Sequence, residues 1–177
     1  MAVFVPVFLL SATLHAQLMV SKLLGKNGKN AQLGFGLFTY YDIPLQQSEN
    51  NSIRIELMDF AYFPRKDKTA DNVIGYINIK LGYRHVFSET MTGIYVEPQA
   101  GFGRVIGSNN ASAPGKHYGD GVALAFETGY SQEIAQSGNT LNFGLKYEAD
   151  MAGTDYSAYS LGFRVSYSFH LFQRRGY

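Results

Sequence analysis

The sequence predicts an all-β protein, an eight-stranded antiparallel up-and-down barrel. Three observations carry that expectation. Long stretches alternate apolar and polar residues with a period of two, which puts successive side chains on opposite faces of a strand. Several of these stretches reach twelve residues or more, well beyond the roughly five or six of an average strand. The composition agrees: 19 Gly, 13 Tyr, 13 Phe and no Trp in 177 residues, with charged residues at 16%, against about 25% in an ordinary soluble domain.

Taken in chain order, residues 1–16 read as a processed signal peptide. Ala2 to Leu10 is almost wholly apolar, no charge appears before Lys22, and the run is too short to span a bilayer as a helix. Cleavage is expected before Gln17, leaving one barrel domain over 17–177. A first strand is assigned to 17–24, followed by the loop GKNGKN at 25–30. Leu33, Phe35 and Leu37, with Gly34 and Gly36 between them, mark a strand over 31–41. Ile53, Ile55 and Leu57 alternate with Arg54, Glu56 and Met58 in 52–63, and Asp59 breaks the phase, which predicts a bulge there. Ile77 to Arg84 places a strand over 73–87, and Ile94 to Gly103 one over 92–106. Val122 to Ser131 belongs to 119–135, and Leu141 to Met151 to 140–151. The clearest alternation is Tyr159 to Phe172, in a strand over 157–172. No stretch shows a helical period.

The connections set the direction of the strands. Ser88 to Met91 and Gln136 to Asn139 are tight, whereas 64–72 and 107–118 are polar loops. Transmembrane barrels have short periplasmic turns and longer outer loops. Counting strands from that assignment requires one further strand near the start, which makes eight, the even number of single-chain bacterial barrels.

The alternation does not by itself say which face is enclosed. A soluble barrel buries its apolar face, and a membrane barrel turns it to lipid. The polar face decides the reading. It carries Arg54, Lys80, Arg84, Lys146 and Arg164 against Glu56, Glu97, Glu127, Glu148 and Asp150. Five charges of each sign match what an enclosed lumen requires, because a buried charge needs a partner. Lys146 is expected to pair with Glu127 or Glu97. Glycines and serines on the same face suit a narrow interior, and aromatics near strand ends fit interfacial girdles.

The alternating strands and the segment YSLGFRVSYSFHLF resemble the small outer-membrane β-barrel family of Gram-negative bacteria, of the outer membrane protein A type. The resemblance covers about 17–172. It implies residence in the bacterial outer membrane, contact with outer-membrane lipid, and no common enzyme activity. It also implies recognition by the barrel assembly machinery through an aromatic at the end of the last strand, Phe172 or Tyr177.

The near balance of charge, 15 basic against 14 acidic residues, gives no footprint for nucleic acid. Zero Cys excludes disulfides, thiol catalysis and cysteine metal sites. No catalytic residue, metal site or cofactor is expected. His170 near Ser166 and Ser168 lacks the orienting group and oxyanion donor that hydrolysis needs. His117 with Asp120 offers too few ligands for a metal, and His85 near Ser88 and Glu89 matches no nucleophile motif. The expected role is structural or adhesive, through the loops 64–72, 107–118 and 152–156. A secreted lipocalin-like barrel holding an apolar ligand is the alternative, and a membrane lipid hydrolase a distant third.

Overall fold

The computed structural model describes residues 13–29, 31–45, 50–66, 72–88, 92–108, 116–134, 139–153 and 157–170. Eight strands close into one barrel: β1 Thr13–Leu23, β2 Leu33–Pro44, β3 Asn51–Tyr62, β4 Asn72–Val86, β5 Gly93–Ser108, β6 Lys116–Glu133, β7 Thr140–Met151 and β8 Ala158–His170. Each strand pairs antiparallel with its sequence neighbours, and β8 returns to pair with β1. Closure leaves no unpaired strand at the edge of the sheet. The predicted fold class and strand count therefore hold, including the first strand, which alternates least clearly.

Three details differ from the sequence expectation. Strand β1 starts at Thr13, so residues 13–16, assigned above to the signal, stand opposite Tyr167 to His170. Strand β6 starts at Lys116, because its pairing with β5 runs up to Ser108↔Lys116. A single helical turn, α1 Gly25–Gly28, lies in the first loop. No described helix is long and apolar enough to cross a membrane.

The bulge at Asp59 is present. Glu56 faces Lys80 and Asp59 faces Asn78, so two residues of β3 stand against one of β4. From β2 the same irregularity shows as a shift between Thr39 and Tyr40. Leu57 and Met58 both turn outward, and Asp59 rejoins the buried face. Under unbroken alternation, with the same residues and no bulge, Asp59 would point outward with the apolar side chains.

The phase of every strand resolves the same way. Leu18, Val20, Phe35, Ile79, Phe102, Phe126 and Phe163 are exposed, while Arg54, Lys80, Glu97, Lys146 and Arg164 are buried. The interior is narrow enough that backbone approach matters. A Cβ at Gly129 or at Gly144 would come within 2.6 Å of the Tyr95 hydroxyl. Glycine at both positions admits that ring to the lumen.

Candidate functional site

The site is the enclosed charge network, and the strands deliver it by simple alternation. At mid-height, β3, β4, β7 and β8 supply Glu56 and Asp59, Lys80, Lys146 and Glu148, and Arg164. Lys80 reaches Asp59 at 2.6 Å and Glu56 at 3.2 Å, and also contacts Glu148. Lys146 reaches Glu148 at 2.6 Å and Glu56 at 3.3 Å, and also contacts Asp59. Arg164 holds Glu127 at 2.7 Å and Glu56 at 3.2 Å. Every one of these side chains is almost fully buried. Each ion therefore replaces lost water contacts with several opposite charges, the condition under which a buried charge is tolerated.

The expected partners of Lys146, Glu127 and Glu97, are not its partners. Glu127 stands directly beside Lys146 in register, yet it accepts from Arg164 and from the Tyr95 hydroxyl, the latter at 2.6 Å. The lysine stem is long enough to cross the lumen to β3, where Glu56 and Asp59 stand.

A second group lies nearer the end with the turns. Arg54 forms a two-pronged contact with Asp42, both prongs 2.8 Å, and meets Glu97 at 2.9 Å. Its guanidinium also lies 3.4 Å over the Tyr40 ring. Arg164 stacks in the same way on Phe38, at 3.2 Å. Arg84 lies 3.8 Å over Tyr95 and donates to Asn142 at 2.7 Å. Aromatic faces attract cations through the ring quadrupole, more so when desolvated.

Towards the loop end, Asn78 donates to Glu148 and to Asp150, both at 2.5 Å. Above them the filling becomes apolar, with Leu23, Ala61, Phe63, Tyr76, Val105 and Ala158 all buried. All ten residues of the predicted network are thus enclosed, but they are not evenly balanced. Asp59 adds a sixth buried carboxyl, and Asp42 joins at the rim. Among the described residues, Arg84 and Asp150 have no ion-pair partner. Simple alternation misses Asp59 because the bulge moves it to the other face. It misses Asp42 because the predicted strand stops at 41. The inward phase of β2, Phe38–Tyr40–Asp42, is readable in principle, but two aromatics disguise it as an apolar face.

The other chemical candidates are not assembled. Asp120 is held by Arg104 at 2.5 and 2.8 Å on the exposed surface. His85 meets Asn51 at 2.8 Å and the Phe87 ring at 4.7 Å. The side chains of His117 and His170 lie outside the described residues, as do most of the three outer loops and the C-terminal aromatics. Among the described residues, no group of three or more His, Asp or Glu side chains is arranged to hold a metal.

No protein-family model matches the chain, and neither does any curated protein sequence. Solved structures do. Neisserial surface protein A superposes with a TM-score of 0.68 at 11% identity, over 91% of this chain and 97% of the other. The N-terminal β-barrel domain of OprF from Pseudomonas aeruginosa gives 0.50 at 10% identity, covering 89% and 97%. The attachment invasion locus protein Ail of Yersinia pestis gives 0.50 at 15% identity, also covering 89% and 97%. At these identities the likeness is one of fold.

Proposed function

We propose that this chain spans the bacterial outer membrane, its lumen plugged by the ion-paired network, and acts as a structural or surface-interaction protein through its outer loops. One observation carries the reading: the barrel is apolar outside and charged within. Exposed Phe, Leu, Ile and Val side chains circle the wall, and an apolar surface of that extent in water would drive association. In lipid it is the favourable arrangement. The fold shared with a neisserial surface protein and with an attachment protein of Yersinia pestis supports the same reading. The lipocalin-like alternative needs its apolar face inside, where this barrel carries arginines, lysines and carboxylates. No enzymatic role belongs to the proposal.

Recovery in the membrane fraction, with faster gel migration before boiling than after, tests membrane residence. A mature chain that stayed soluble without detergent would sink it. Plugging is tested in planar bilayers, where no stable conductance is expected. Large, reproducible single-channel steps would mean that the lumen opens. Recognition by the barrel assembly machinery through Phe172 or Tyr177 is part of the proposal. It is checked by deleting 172–177 and measuring how much barrel reaches the membrane. Undiminished assembly would remove that element.

A further inference from the structure

We infer that the turn end of the lumen is a blind pocket for the C-terminal carboxylate of a peptide. Its periplasmic setting rests on the membrane reading given above. Four consecutive strands around the wall build the lining. Ser131 on β6 stands beside Asn142 on β7, Asn142 beside Ser166 on β8, and Ser166 beside Gln17 on β1. All four side chains are buried and none is charged. Arg84 reaches in from β4, across the lumen, and donates to Asn142 at 2.7 Å. Gln17, Arg84, Ser166 and Ser168 keep 4–7% of their surface, against 0–1% for Glu56, Lys80, Lys146 and Glu148 deeper in. Solvent therefore touches this layer from the turn end and stops short of the ion-paired centre. The loop end is shut by the buried Leu23, Phe63 and Tyr76, so a ligand enters and leaves on one side.

The donors of this layer call for an anion of a particular shape. Two acids border it, Asp42 and Glu97, and Arg54 holds both. Glu97 also accepts from Gln99 at 2.5 Å. Arg84 is left without an ion-pair partner among the described residues. Asn142 takes one of its nitrogens, and the Tyr95 ring, 3.8 Å away, covers one face. A buried guanidinium with N–H donors to spare matches the two oxygens of a carboxylate. One cation also balances a singly charged carboxylate, where a phosphate dianion would stay half paired. Gln17 supplies the second mark. Both of its amide atoms are buried and without a partner, and an orphaned buried amide asks for one. Its nitrogen can donate to a carboxylate and its oxygen can accept a peptide N–H. A peptide C-terminus carries both groups within one residue, and as a chain end it fits a pocket closed on the far side. Capture of a terminal carboxylate by converging donors is a recurring mode of peptide recognition.

The test uses the full chain folded in neutral detergent, its folding confirmed by heat-modifiable migration. The probe is N-acetylated tetra-alanine, and binding is read by titration calorimetry. The free acid should bind about tenfold or more tightly than the same peptide with a C-terminal amide. Arg84→Gln should bring the free acid down to the level of the amide. Arg84→Lys, which keeps the charge and loses the fork, should recover only part of the difference. Gln17→Leu should weaken binding of both peptides. Arg104→Gln, at the other end of the barrel, should change neither. No binding of the free acid, equal binding of acid and amide, or an equal loss on Arg104→Gln overturns the pocket. Inorganic phosphate that displaced the peptide more strongly than acetate would overturn the choice of a carboxylate. Should Arg84→Gln not fold, the acid and amide compared on wild type and on Arg84→Lys decide. Failure of the membrane reading looks different: a barrel that bound the free acid yet stayed soluble without detergent would keep the pocket and lose its periplasmic setting.

Discussion

Two ion-paired regions of this barrel have nearly the same geometry and opposite surroundings. Arg104 grips Asp120 at 2.5 and 2.8 Å on the exposed rim. Arg54 grips Asp42 at 2.8 Å by both prongs, and behind it Lys80, Lys146 and Arg164 share Glu56, Asp59 and Glu148 out of contact with water. Distance alone would rank them equal. Solvent separates them, because water can replace either partner on the rim and neither in the lumen. In the lumen, the penalty comes from breaking a set of charges rather than from the strength of any one bond.

Four substitutions separate the two regions. Reversing charge at the centre should do most: Lys146→Glu would set a fourth acid against Glu56, Asp59 and Glu148. It should lower the temperature at which the folded gel band is lost far more than Lys116→Glu on the outer loop side. Equal effects would mean that the lumen is not enclosed. Next comes removal of one partner. Glu56→Ala leaves Lys80, Lys146 and Arg164 short of a counter-charge and should cost about 3–5 kcal/mol in urea unfolding from vesicles. A smaller loss is expected from Phe38→Leu, which takes away the ring beneath Arg164 while keeping most of the volume. That should cost about 1–2 kcal/mol, measured the same way. Least of all, Arg104→Gln should leave unfolding unchanged within error at physiological salt. A marked loss there would show that the rim pair is shielded from solvent after all.

Most of this architecture can be read from alternation. Side-chain phase repeats every two residues, so Arg54, Glu97, Lys146 and Arg164 can each be assigned to the inner face without any structure. Phase says nothing about reach. It pairs Lys146 with Glu127, its neighbour in register, whereas the side chain spans the lumen. Partner choice depends on side-chain length and on which carboxylates other cations already hold. Phase also fails where the backbone adds a residue, as it does before Asp59. The apolar filling near the loop end is unreadable for another reason. Phe63, Leu23 and Val105 come from three strand ends and loops, and none of them shows its neighbours in a local window.

The extra residue in β3 has a consequence for how this sequence can change. It acts like a frame correction in a text read two letters at a time. Leu57 and Met58 are both spent on the outer face, and everything from Asp59 to Phe63 is legible only because of that doublet. Loss of either residue would restore plain alternation and leave Asp59 and Ala61 inside, whereas loss of a residue elsewhere in the strand, such as Ile55, would put the remainder out of phase. Substitutions along these strands are local events and a single deletion elsewhere in β3 rewrites half a strand, whereas a deletion at 57 or 58 only straightens it.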